Sequence, residues 1–151
     1  MDLGIAGKKA IICGASKGLG KACAEALARE GVKITIAARH LAQLAETAEE
    51  IRKATGNRVT AVVADVTTAE GRQALLAACN NPDILITNSG GPPAGDFRDW
   101  SEVEWHQAVQ NNMITHILMI KAVVVGMVGR RWGRIVNITS AAMKSPLPRL
   151  G

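Results

Sequence analysis

Residues 9–20 read Lys9-Ala10-Ile11-Ile12-Cys13-Gly14-Ala15-Ser16-Lys17-Gly18-Leu19-Gly20, and this stretch decides the fold. A short apolar run breaks into glycines. From Leu19 onward small apolar residues recur at helical spacing, with Leu19, Ala22, Cys23, Ala26 and Leu27 at i, i+3, i+4, i+7 and i+8. The expected order is strand, tight turn, helix, with that stripe of residues against a sheet. A strand that turns sharply into a helix aims free backbone N–H groups and the positive helix end at one point, an arrangement suited to a pyrophosphate. Glycine is required there because a Cβ would block the turn or the approach of the ligand. The spacing is GxxxGxG, which differs from the commoner GxGxxG fingerprint. It also fails as a P-loop, since Ala15 and Ala22 stand where a glycine and a hydroxyl would be needed around Gly20-Lys21. Nucleoside triphosphate hydrolysis is therefore disfavoured.

Outward from this loop, β-branched runs alternate with longer segments of helical period, the mark of βαβ units and a parallel sheet covered on both faces. Strands are expected at Lys9–Cys13, Lys33–Ala38, Arg58–Ala64, Asp83–Thr87 and Arg134–Thr139. Gly31 should stop the first helix. The second should turn Leu41, Leu44, Ala45, Ala48 and Ile51 inward and end near Gly56. Thr67 with Glu70, and Ser101 with Glu104, have the spacing of capping boxes at two further helix starts. The last helix, expected over 102–131, is apolar on more than one side. Trp105, Ala108, Val109, Met119, Ile120, Val123 and Met127 are expected on the sheet. Ile117, Leu118, Val124, Val125 and Val128 then need cover, and a second subunit or a further chain segment would supply it. A homo-oligomer, dimer or tetramer, through helix 102–131 is the expectation.

The 151 residues, 48% apolar, suit one domain with a real core. The formal charge of +5 forms no run of like sign, which argues against a nucleic-acid partner. Cys13, Cys23 and Cys79 are odd in number and lack metal-ligand spacing, so no metal site and a reducing, cytoplasmic location are expected. No signal sequence is expected from the first residues. The greasiest stretch, Met113 to Val128, contains Thr115, His116 and Lys121 and is shorter than the roughly 20 residues of a membrane span. No membrane partner is expected.

Taken with its neighbours, the loop resembles the TGxxxGxG cofactor motif of short-chain dehydrogenases/reductases, especially their 3-oxoacyl-acyl-carrier-protein reductase branch, with Cys13 in place of the threonine. Asp65-Val66 is similar to the family's Asp-Val step beside adenine, and Asn88-Ser89-Gly90-Gly91 to its NNAG. Asn112 and Ser140 match its catalytic asparagine and serine. The resemblance implies a Rossmann-type, three-layer α/β/α fold with strand order 3-2-1-4-5, a single dinucleotide-binding domain over 1–151 from which the family's last strands are missing. It implies cofactor contacts from Gly14, Ser16, Lys17, Gly18, Leu19, Gly20, Arg39, Asp65, Val66, Asn88, Ser89 and Gly90. An NAD enzyme usually ends its second strand with a carboxylate for the ribose 2′-OH, whereas this chain has Ala37-Ala38-Arg39. A guanidinium suits a 2′-phosphate, and Lys17 could add a second charge, so NADP(H) is the expected cofactor. The missing acid also argues against an S-adenosylmethionine methyltransferase.

Carbonyl reduction by hydride needs a proton donor and groups that stabilise the developing alkoxide. In the family resembled, a tyrosine with a lysine four residues later supplies them, and the resemblance places that tyrosine about a dozen residues past Ser140, beyond Gly151. The sequence contains no tyrosine at all. A fragment of a longer enzyme, a short form without catalysis and a relative with another acid all fit. The fragment is the expectation, because the surface of the long helix is left uncovered and Ser145 to Gly151 reads as the start of a substrate loop. The expected activity is NADP(H)-dependent interconversion of a ketone and a secondary alcohol, the substrate a 3-oxoacyl thioester or another small carbonyl compound, with this chain alone inactive. A non-enzymatic NADP(H)-binding module is the second reading, and an aggregated or swapped fragment without ligand the third.

Overall fold

The computed structural model describes residues 2–91 and 94–145. One parallel sheet of five strands carries the chain: β1 (Lys9–Cys13), β2 (Lys33–Ala38), β3 (Val59–Val63), β4 (Ile84–Thr87) and β5 (Arg134–Asn137). Their order is β3-β2-β1-β4-β5, a Rossmann-type doubly wound arrangement. The chain winds outward from β1 through β2 to β3, then crosses back to place β4 on the other side of β1. That reversal opens a crevice beyond the carboxyl ends of β1 and β4, where ligands of open α/β sheets bind.

Period-two alternation along the strands builds two cores. On β1 and β4, Ala10, Ile12, Ile84 and Ile86 point to one face, where α1 (Gly18–Arg29) and α2 (Leu41–Thr55) contribute Ala24, Ala28, Leu44, Ala48 and Ile51. Ile11, Cys13 and Leu85 point to the other, against Leu75 of α3 (Ala69–Ala78) and Met119, Val123 and Met127 of α5 (Thr115–Gly129). Layers of helix, sheet and helix result. Three strands are shorter than expected, by one or two residues each. Arg58, Ala64, Asp83, Ile138 and Thr139 fall outside the ladders, although Ala64 and Ile138 each still donate a backbone hydrogen bond, to Ala38 and Thr87.

Three helix faces and one helix cap differ from expectation. On α1 the residues fully buried are Gly20, Ala24 and Ala28, whereas Leu19 is 64% exposed. The stripe is therefore shifted by one position from the one expected, because the closest helix–sheet approach selects the smallest side chains. On α2 the buried set is Leu44, Thr47, Ala48 and Ile51, and Leu41 and Ala45 face outward. Gly56 ends that helix as expected. The cap of α3 is Thr68, whose hydroxyl accepts from the Gly71 amide at 3.0 Å. Thr67 is instead turned to Asp65. The Ser101–Glu104 box is present at the start of α4 (Glu102–Val109), with the Ser101 N–H donating to Glu104 at 2.7 Å.

The long helix is continuous over Glu102–Gly129 but has a π turn at Gln110–Ile114 between α4 and α5. By length and composition it could cross a membrane, yet it runs along the sheet and buries Thr115, Met119, Val123 and Met127 there. Trp105 and Val109, expected on the sheet, are 45% and 47% exposed. Ile117, Val125 and Val128 are exposed on its outer side, and Leu118 and Val124 half-buried. The segment from Pro146 to Gly151 lies outside the described residues.

Candidate nucleotide-binding site

Three connections meet at the switch point. The turn after β1 passes through Gly14 at φ 60°, and the Asn88 side chain, from the segment after β4, donates to the Gly14 carbonyl at 3.1 Å. A Cβ on Gly14 would lie 2.8 Å from that same amide nitrogen, so Asn88 can reach the loop only because residue 14 has no side chain. Gly20 sets the other side of the turn. Its Cβ would stand 2.3 Å from the Gly14 carbonyl oxygen, and without one the first turn of α1 packs directly on the loop. The Ala15 N–H donates to the Ala37 carbonyl at 3.0 Å, and Thr47 of α2 donates to the Ser16 carbonyl at 2.9 Å. The loop is thus tied to β2, α2 and β4 before any ligand arrives.

Lys17, the N-cap of α1, makes no side-chain capping bond, so the first-turn amides of α1 are left for a ligand. They face a cleft of about 480 Å³, within the usual range for a small-molecule site. Gly14, Ser16, Lys17, Gly18, Leu19, Arg39, Asp65, Val66, Asn88, Ser89 and Gly90 line it. Of the residues expected to hold cofactor, Gly20 alone is outside the lining, buried beneath the loop. Leu19 points into this cleft, which is why it is absent from the sheet-facing stripe.

Cations and one carboxylate set the electrostatics. Arg39 and Lys17 are both exposed at the cleft. Lys21 is committed to Glu50 and Glu25 and is not available to a ligand. The Asp65 carboxylate accepts from the Thr67 N–H at 2.9 Å and its hydroxyl at 2.7 Å. Partial burial pushes its pKa up, but the two Thr67 hydrogen bonds and the nearby Arg39 charge outweigh this and hold it below the usual carboxylate value. Burial pushes the Cys13 thiol up to about 12, against a smaller opposing effect of an Asn88 backbone hydrogen bond, so it is an inert core residue.

The two residues matched to catalytic positions are not in the cleft lining. Ser140 is exposed and caps a short 3-10 turn, accepting from the Ala142 N–H at 3.1 Å. Asn112 is exposed on the π turn and donates to the Ala108 carbonyl at 3.0 Å. Its neighbour Asn111 does line the cleft, as do Gln43, Thr67 and His40. Sequence reasoning assigned none of these four to the cofactor. Gln43 had a usable signal, since it lies one helical turn beyond Arg39.

A model of the short chain dehydrogenase family matches residues 8–151. The 3-oxoacyl acyl-carrier-protein reductase FabG of Vibrio cholerae is 32% identical over 91% of this chain and 57% of its own length. The crystal structure of L-sorbose reductase from Gluconobacter frateurii, complexed with NADPH and L-sorbose, superposes with a TM-score of 0.90 at 32% identity, covering 97% of this chain and 57% of that one. An actinorhodin polyketide ketoreductase with NADPH gives a TM-score of 0.88 at 29% identity, covering 95% and 57%. The chain thus spans a little over half the length of the relatives it matches. Strand order, the glycine turn braced by Asn88 and the family-model match agree: the chain belongs to the short-chain dehydrogenase/reductase family.

Proposed function

We propose that this chain is the NADP(H)-holding part of an oxidoreductase that moves hydride between nicotinamide and a ketone or secondary alcohol. One observation carries the reading: the cleft joins the free amides of α1 to Arg39 at the position after β2, where a carboxylate would favour the unphosphorylated ribose. In this reading the Gly14–Gly20 turn cradles the pyrophosphate, Arg39 pairs with the 2′-phosphate, and Lys17 adds a second positive charge. Asp65 and Val66 wall the adenine side; Asn88, Ser89 and Gly90 form the opposite wall. The bound nicotinamide would supply or accept the hydride. Ser140 would polarise the carbonyl, with Asn112 beside the proton path. A 3-oxoacyl thioester is the substrate class suggested by the Vibrio relative and fits a reductase acting on ketones. The sequence has no tyrosine, so the 151-residue chain is expected to bind nucleotide without reducing ketones. The same absence favours, as a second reading, an NADP(H)-binding module without chemistry. The exposed outer side of α5 is where we place a contact between copies.

The test is fluorescence titration with NADPH and NADH of the wild type and Arg39→Asp. A charge-assisted hydrogen bond to phosphate contributes about 1.5–3 kcal/mol, so the substitution should cut the preference for NADPH by roughly 10- to 100-fold. An unchanged preference removes the cofactor assignment. Ketone reduction by this chain that survives Ser140→Ala would overturn the assignment of Ser140.

A further inference from the structure

The π turn leaves one backbone group without its helical partner at the edge of the cleft. The Thr115 N–H bonds to the Gln110 carbonyl, five residues back, and not to Asn111, four back. The Asn111 carbonyl is served from outside the helix, by the Ser89 hydroxyl at 3.0 Å. Two further groups surround that hydroxyl: the Asn112 amide oxygen at 3.4 Å and the His116 Nε2 at 3.4 Å. A serine hydroxyl has one proton to give and two lone pairs. Both oxygens can only accept, and the shorter contact, to the carbonyl that has lost its helical donor, takes the proton. An unprotonated Nε2 would then face a lone pair, whereas Nε2–H would satisfy one. Geometry therefore selects the Nε2–H tautomer, and half-burial, which lowers the pKa of His116, keeps the ring neutral.

We propose that His116 is a positioning residue whose Nε2–H, donated to the Ser89 hydroxyl, directs that hydroxyl at Asn111 and clamps the segment after β4 to the π turn. Ser89 and Asn111 both line the cleft, so the clamp holds the wall formed by the segment after β4 against the long helix. Its effect on nucleotide rests on the NADP(H) reading above. The tautomer does not.

The test separates the two. Nitrogen-15 NMR of the wild-type chain should report the Nε2–H tautomer at His116, and the Nδ1–H tautomer would overturn the proposal whether or not nucleotide binds. In parallel, His116→Phe keeps a ring without the donor, and His116→Gln places an N–H where Nε2 stood. Provided the wild type binds NADPH, His116→Phe should weaken it roughly five-fold, the size of one neutral hydrogen bond, and His116→Gln should restore it. In a Ser89→Ala background His116→Phe should add nothing. NADPH binding unaffected by His116→Phe, or equal losses in the Phe and Gln variants with unchanged melting, would refute the clamp. A wild type that binds no NADPH would sink the cofactor reading and leave the tautomer to decide this one.

Discussion

Replacing Gly20 by alanine tests the loop geometry directly. The added Cβ would lie 2.3 Å from the Gly14 carbonyl oxygen, 2.9 Å from its carbon and 3.1 Å from the Ala15 Cα. All three are backbone atoms, so no rotamer change relieves the contact. A carbon–oxygen contact of this kind is comfortable at about 3.3 Å, so helix and loop must part by roughly 1 Å. Overpacking of this order costs about 1–3 kcal/mol, offset by up to about 1 kcal/mol from the better helix propensity of alanine. A net loss of about 1–2 kcal/mol lowers the melting temperature by roughly 2–8 °C in a chain of this size. The same displacement moves the first-turn amides of α1 off the proposed diphosphate position, so NADPH affinity should fall at least about ten-fold. Gly129→Ala is the control, because no heavy atom lies within 4 Å of its Cβ, and it should leave melting unchanged or slightly raised. Thermal unfolding and nucleotide titration of both variants decide the matter. If Gly20→Ala melts and binds like Gly129→Ala, the close approach of α1 to the Gly14 turn is not what builds the site.

Asp65 gives a pH signature. Its folded pKa is depressed, so the stability it adds is present above the unfolded value of about 3.9 and is lost as pH falls through the lower folded value. Asp65→Asn should therefore destabilise by less than about 1 kcal/mol at pH 7, with the gap to wild type narrowing as pH falls below about 4 in urea melts, and a gap that does not narrow with acidification would contradict the assignment. Val125 and Val128, 77% and 69% exposed on α5, should lie in a contact between copies. The wild type should sediment as a dimer or tetramer and the Val125→Asp, Val128→Asp double variant as a monomer with unchanged melting, while a compact wild-type monomer would refute that contact.

The sheet was legible because strands between two helical layers must be apolar on both faces, and β1, β2 and β4 announce themselves as such runs. The lining of the cleft was legible for a related reason. Gly14 and Gly20 answer to backbone sterics, and Arg39 to the charge left at a strand end, so their residue types carry the information. The faces of the helices were not legible in the same way. Hydrophobic periodicity rewards leucine, but where α1 approaches the sheet most closely only Gly20, Ala24 and Ala28 fit, and Leu19 belongs to the cleft above the sheet edge. The long helix shows a second kind of failure. Val109 and Met127 are 18 positions apart, about five turns of a regular α-helix, so an uninterrupted helix would put both on the sheet. The π turn at Gln110–Ile114 adds close to one residue to a turn and rotates everything before it by roughly 100°, carrying Trp105 and Val109 off the stripe that Met119, Val123 and Met127 hold. No composition marks such a turn, and the group that serves the carbonyl it releases, the Ser89 hydroxyl, lies 22 positions earlier in the chain.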